Sequence, residues 1–458
     1  MNKIFDMKKV LKIIILTLSS FSVHAQQDNQ TCVAEVPSQH WENHFQQLIS
    51  EFKSNEKHKN SSSFYTIPVI FHIIHGGETV GTYPNLTQGQ INSQLVVLNQ
   101  DFSGTAYNIA NYPVNAFVNW AINQALPTAN LDINGRVKIA DFNIQFCLAT
   151  KDPLGNILPE PGIDRINYVS NGLQNPNAFA TQATFKTYLD NTLKPNTIWD
   201  VTKYMNVWIT DKNTALTSGG VSSVPPLSGL SGIPNTATDS TDGIWCYAKA
   251  TGSYMNFPTG HYVSTNVDGR TLTHETGHYL GLRHIWGDAS CATDYCNDTP
   301  PSESENGGSP TYPHNVGSCS SPSNNPDGEM FMNYMDYTMG PSKYMFTVDQ
   351  MTRAQTAMLN SPFRNQLGTH GLCSTTSLGT NTFDYTNTVT ISPNPTNSNV
   401  NINFTNQILL KVNIYALTGE LLQEHLTSKF SIENLPKGIY FIITQTNKST
   451  YINKLIKQ

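Results

Sequence analysis

Charge is the scarcest ingredient of this sequence. Lys and Arg number 27 and Asp and Glu 33 among 458 residues, so charged side chains make up 13% of the chain, about half the roughly 25% usual for soluble domains. There is no basic excess: the formal net charge is −6, which leaves little to neutralise phosphates and excludes nucleic acid as a partner. Past the N-terminus no apolar run reaches the ~18 residues of a membrane span, so no transmembrane anchor is expected. What the chain does hold is 38% hydrophobic residues, with 20 Tyr, 20 Phe and 6 Trp. That is enough to bury sizeable cores and to exclude wholesale disorder. Polarity comes more from Asn, Ser and Thr than from charge. At roughly 150 residues per domain, the length implies about three units.

The two ends point to export. Lys8, Lys9 and Lys12 form a basic region, Ile13 to Leu18 carry an apolar centre, and Val23 and Ala25 place small residues before a cleavage point. Residues 1–25 therefore read as a secretory signal peptide. Residues 26–60 are polar around a helical-looking patch from Val36 to Phe52 and read as a pro-segment, with Lys57 and Lys59 in a stretch suited to activation cleavage. Residues 374–387 lack periodicity and read as a linker. Short alternating runs follow (Val389 and Ile391; Val400, Ile402 and Phe404; Val412 and Ile414; Ile439 to Ile443), punctuated by Pro393-Asn394-Pro395, Thr418-Gly419 and Pro436-Lys437-Gly438. This pattern predicts a small all-β sandwich over 388–458.

Between the ends, residues 61–373 show a mixed pattern without internal repeat. Strands are expected at residues 65–74, 142–148, 204–210 and 243–247. Helices are expected from Thr87 to about Phe102, over 271–282 and over 347–359. His72 and His75 fall on opposite faces of the first strand and read as core or rim residues.

The chemistry lies in residues 271–288, TLTHETGHYLGLRHIWGD. His274 and His278 are four apart, so a helix presents both imidazoles on one face. Glu275 follows the first and can reach a water held at a metal. Gly281 can take positive φ, end the helix and swing the chain back, which brings in His284 as third ligand. Three His with an open fourth position suit catalytic Zn2+, whereas closed structural sites favour Cys. Well downstream stands Met335, in Asn333-Tyr334-Met335-Asp336-Tyr337.

The long His motif together with Met335 resembles the metzincin metalloproteases, whose Met-turn floors the three imidazoles. Within them, GLRHIWGD, DYCNDTP, FMNYMDYT and the opening strand IPVIFHIIH resemble the pappalysin (M43, cytophagalysin-like) family. The resemblance implies an α+β catalytic domain, with a twisted sheet and helices above the zinc cleft and an irregular lower subdomain after Gly281. It implies a zinc endopeptidase acting on protein or peptide substrates, with Glu275 as general base and Tyr337 as hydrogen-bond donor to the oxyanion. It further implies substrate lying along an edge strand, for which 243–247 or its neighbours are expected. Many members carry an Asp pair after the Met-turn Tyr that favours a basic P1′ residue. Here the run is Thr338-Met339-Gly340-Pro341-Ser342, so a broader or more apolar P1′ preference is expected.

The family places calcium near a D-x-x-x-D-T-P segment, which makes Asp294 and the carbonyls of Asn297 and Thr299 the candidates for Ca2+; the alternative is a solvated turn with a capping Asp. Seven cysteines leave at least one without an intramolecular partner. Family position favours Cys291 with Cys319, and the connectivity of Cys147, Cys246, Cys296 and Cys373 stays open. Cys32, in the pro-segment, resembles the thiolate of a cysteine switch that keeps a zymogen latent; a structural disulfide or an idle thiol is the other reading. ISPNP, NIYALTGELL, LPKGIYFI and YINKLIKQ resemble the type A sorting domain of the type IX secretion system. That implies export through periplasm and outer membrane to a secreted or cell-surface location, with the secretion machinery as partner. Two other classes, a non-catalytic binding protein on a dead scaffold and a hydrolase of other amides, are disfavoured by Glu275 and by the Met-turn respectively.

Overall fold

Tyr65–His75 (β1) is a run of mostly β-branched and aromatic residues, YTIPVIFHIIH, with its eight central positions buried. Such a strand belongs inside a sheet covered on both faces. It pairs in parallel with Ile144–Leu148 (β2) along its first half and with Ile163–Asn167 (β3) along its second. Met205–Thr210 (β4) runs parallel along its other side. Pro68 is tolerated within this strand because pairing with β4 begins only at Val69. Gly220–Ser222 (β5) and Ile244–Tyr247 (β6) complete the sheet in the order β2-β1-β4-β6-β5. β6 is parallel to β4, and β5 is antiparallel to β6.

The computed structural model describes residues 37–55, 64–227, 237–373, 390–404, 409–416, 421–446 and 450–458. The expected signal peptide, Cys32, Lys57, Lys59 and the 374–387 linker lie outside the described residues. The chain divides into two units, Met1–Ser374 and Thr375–Gln458.

In the first unit, four longer helices accompany the sheet: Gln39–Ser54 (α1), Gln88–Phe102 (α2), Arg270–Tyr279 (α3) and Val348–Asn360 (α4). Thr87 caps α2 by accepting from the Gln90 N–H, and Thr347 forms a capping box with Gln350 at α4. One face of β1 (Ile67, Val69, Phe71, Ile73) shares a core with Ile91, Leu98 and Phe102 of α2, Leu272 and Tyr279 of α3, and Ala354 and Met358 of α4. The opposite face, through Ile74, packs with Trp208, Trp245 and a helical stretch over 182–197. His72 is buried on that face between Asp164 and Asn206. His75 is only partly buried at the strand end.

Between α3 and α4 the described chain holds just one 3-10 turn, Gly340–Ser342, so the region below the helix is irregular. It is held by the Cys291–Cys319 disulfide and by a cluster that joins Met330, Phe331, Met332 and Met345 to Phe117 and Trp120. A second disulfide, Cys147–Cys373, ties β2 to the end of the unit. Cys246 and Cys296 are buried free thiols.

The second unit has a four-stranded and a three-stranded sheet. Val400, Ile402 and Phe430 from one meet Val412, Ile414, Tyr440, Ile442 and Leu455 from the other in a shared core, which makes it a small β-sandwich.

Candidate metal centre

α3 begins at Gly269, whose φ of +72 sets the entry, and its residues are buried nearly all round. The backbone leaves the helix after Tyr279, and Gly281 at φ +90 reverses it. This turn carries His284 back beside His274 and His278, as the spacing predicts. The helix is shorter at its C-terminal end than the expected 271–282, because the turn needs those residues.

Each imidazole is oriented by a different acceptor. His274 Nδ1 lies 2.8 Å from the Tyr334 carbonyl, and His278 Nδ1 lies 2.9 Å from the Leu282 carbonyl. His284 Nδ1 lies 2.5 Å from Asp288 Oδ1. A carbonyl only accepts, and so does an ionised carboxylate, so each Nδ1 carries the proton and each Nε2 presents its lone pair. The Nε2 of His278 is 3.2 Å from that of His274 and 3.1 Å from that of His284. Zinc–nitrogen bonds of 2.0–2.1 Å place tetrahedral ligands roughly 3.3 Å apart. The triad therefore fits one such cation at its centre. Among the described residues it is also the one cluster of three or more His, Cys, Asp or Glu close enough to share an ion.

Burial, reinforced by the neighbouring imidazoles, holds His274 well below the usual histidine range and pushes His278 down to about 3, so both are neutral, as ligands must be. For Asp288, burial pulls upward, but the bond from His284 and the charges of His284 and Arg283 outweigh it and keep the carboxylate below its usual range.

The floor and walls follow from close approaches. A Cβ at Gly277 would collide with the Met335 sulfur, so the thioether lies directly beneath the helix segment that carries the two His. Met335 is fully buried, and its N–H is held by Asn333. The Tyr337 hydroxyl is 3.1 Å from His284 Nε2, and Trp286 stacks on His284 with ring centroids 4.3 Å apart. A Cβ at Gly220 of β5 would strike the Glu275 side chain, so the outermost strand runs against that carboxylate. Of the segments expected at the edge, 243–247 or its neighbours, the neighbour takes the place: β6 lies between β4 and β5, and Gly220–Ser222 is the edge. A three-residue strand of Gly, Val and Ser has no legible periodicity.

The expected calcium loop is closed by its own donors. Asp294 accepts from the Cys296 N–H at 3.0 Å and from the Thr299 hydroxyl at 2.8 and 2.9 Å. Asn297 donates its N–H to Asp349. Asp298 accepts from Thr347, Asn130 and the Asp349 N–H. Asp288, a few residues before this loop, belongs to His284. Nothing in this geometry supports a bound calcium.

Known proteins share both units. Residues 188–359 match the M43 peptidase family model, described as pregnancy-associated plasma protein-A, and residues 390–458 match a secretion system C-terminal sorting domain. An extracellular metalloprotease of Neurospora crassa is 37% identical over 119 residues, covering 26% of this chain but only 39% of the fungal protein's length. This chain spans nearly the full length of the solved structures of Tannerella forsythia mirolysin. The mature form with a cleaved peptide is 29% identical, with a TM-score of 0.51, covering 67% of this chain and 97% of that one. A promirolysin mutant is 28% identical, with a TM-score of 0.53, covering 74% and 97%. Mirolysin with a bound compound is 30% identical, with a TM-score of 0.50, covering 68% and 99%. With its long His motif folded into one triad above a buried Met, this chain belongs to the M43 family of metallopeptidases, a family that implies zinc, and it ends in a secretion sorting domain.

Proposed function

We propose that the protein is a secreted zinc-dependent endopeptidase, made as a zymogen and exported by way of its C-terminal domain. The observation that carries the reading is the convergence of three imidazoles beside Glu275, with the edge strand β5 packed against that carboxylate. His274, His278 and His284 would hold the metal. A zinc ion held there would supply a water of pKa lowered towards ~7 and a Lewis acid for the scissile carbonyl. Glu275 takes the proton of the attacking water and passes it to the leaving amine. The Tyr337 hydroxyl donates a hydrogen bond to the carbonyl oxygen as negative charge develops on it. A substrate peptide pairs in extended form with Gly220–Ser222, which sets its carbonyl over Glu275.

Mirolysin supports the presence of a pro-segment: its pro-form covers 74% of this chain and its mature form 67%. Residues 1–25 are then a cleaved signal, 26–60 a pro-segment, 61–373 the catalytic domain, 374–387 a linker and 388–458 the domain read by the type IX machinery. Cys32 is assigned the latency role, so Cys32→Ala is expected to accelerate self-activation; unchanged latency with zinc retained removes that role.

Incubating the processed protein with protein substrates, with and without chelator and beside Glu275→Ala, tests the mechanism. Loss of cleavage in both arms is expected, with restoration by zinc in the first. Activity surviving Glu275→Ala would overturn it.

A further inference from the structure

One feature of the first unit lies outside the catalytic constellation. Glu42, on α1, is completely buried and lies against Arg353, itself 1% exposed, at 2.6 and 3.2 Å. The same guanidinium donates from Nε and Nη2 to the Gly281 carbonyl, at 3.2 and 3.0 Å. Gly281 is where the chain turns between the second and third His. Glu42 also lies 3.9 Å from Arg283, which grips Asp288 Oδ2 at 3.0 and 3.1 Å, while Asp288 Oδ1 holds His284. Two carboxylates and two guanidiniums thus form one quartet, buried at Glu42 and Arg353 and partly buried at Arg283 and Asp288, that touches both ends of the His278–His284 turn. Packing holds α1 in place. Trp41 and Phe45 are buried, Trp41 Nε1 donates to the Pro225 carbonyl, and the Phe45 ring lies where a Cβ of Gly281 would be, 3.0 Å away.

We propose that Glu42 is a positioning residue of the metal centre in the zymogen: until the 26–60 pro-segment is removed, α1 sets the third-ligand turn, and hence zinc affinity, through Arg353 and Arg283. The inference rests on the zinc reading above and adds a role for a segment outside the motif. Without the Glu42 charge, Arg353 loses the carboxylate that fixes its guanidinium, and the Gly281 carbonyl loses the fixed position of both its donors. Arg283 is left with Asp288 alone. A loosened turn lets His284 drift from the other two ligands. Partners one step behind a metal ligand typically change affinity 10–100-fold, and Glu42 stands further back, so about tenfold is expected.

The test uses full-length chain carrying Glu275→Ala to prevent self-cleavage, with zinc affinity read by chelator competition and geometry by the visible spectrum of the cobalt-loaded protein. Glu42→Gln and Arg283→Gln are expected to weaken zinc about tenfold and to shift the cobalt bands, and Glu42→Asp to recover part of the loss. Lys53→Ala removes the α1 contact with Asp349 without touching the turn, and is expected to bind zinc normally. Native zinc affinity and cobalt spectrum in a folded Glu42→Gln or Arg283→Gln overturns the proposal, as does an equal loss in Lys53→Ala, which would mean that any loosening of α1 suffices. Failure of the Glu275→Ala parent to bind zinc would instead defeat the zinc reading itself.

Discussion

Two acids close in sequence behave oppositely because their surroundings differ. Asp288 is paired with His284 and Arg283 and stays ionised, whereas burial pushes Asp294 up to about 7 with no cation directly on it. The folded state therefore holds a proton on Asp294 that the unfolded chain has lost. That contribution is fully present below the unfolded value near 3.8 and is lost as pH rises through about 7. Asp294→Asn removes the titration, so it gains on the parent between pH 5 and pH 8, by at most about 4 kcal/mol. Urea midpoints across that range check it, and parallel curves would refute it. Calcium added to the parent supplies a second arm: an ion bound at Asp294 would keep the carboxylate charged and abolish the slope. At this scale the three His, Glu275, Gly281 and Met335 were legible, because helix period and turn chemistry are written in spacing. Asp288's service to His284 and the Glu42–Arg353 pair were not, since a buried partner hundreds of positions away leaves no local trace.

Strands and helices with strong patterns appear close to where periodicity puts them: β1, α2 with its Thr87 cap, α4 and its capping box. β3 and β5 escaped, one with charged residues in mid-strand and the other only three residues long. Under the proposed function the edge strand pairs with substrate, and the segment after Met335 bears on selectivity. No side chain from Thr338 to Ser342 is acidic, and the Thr338 hydroxyl is turned back to the Phe331 carbonyl. Asp268 abuts Gly340, but burial raises its carboxyl above the usual range and Arg270 lies nearby, which weakens its pull on a cationic side chain. Cleavage of a peptide library should accordingly show a broad or apolar P1′ preference. A strict demand for Arg or Lys would contradict this.

At the scale of the molecule, the estimate of about three units from length resolves into two, of which the first holds the metal centre and the second the sorting fold. The Cys291–Cys319 pairing agrees with family position, whereas Cys147–Cys373 follows only from the parallel sheet that sets β2 beside the unit's last residues. It closes a loop with a sequence separation of 226. Replacing both of its cysteines by Ser should cost about 2–5 kcal/mol, measured as a lower urea midpoint. A variant as stable as the parent would show the cross-link to be idle.

That bond also carries timing. A chain that emerges from a membrane N-terminus first presents Cys147 long before Cys373, the penultimate residue of the first unit. The cross-link can be made only after everything between them has passed through. A chain that ends before Cys373 therefore lacks this closure altogether.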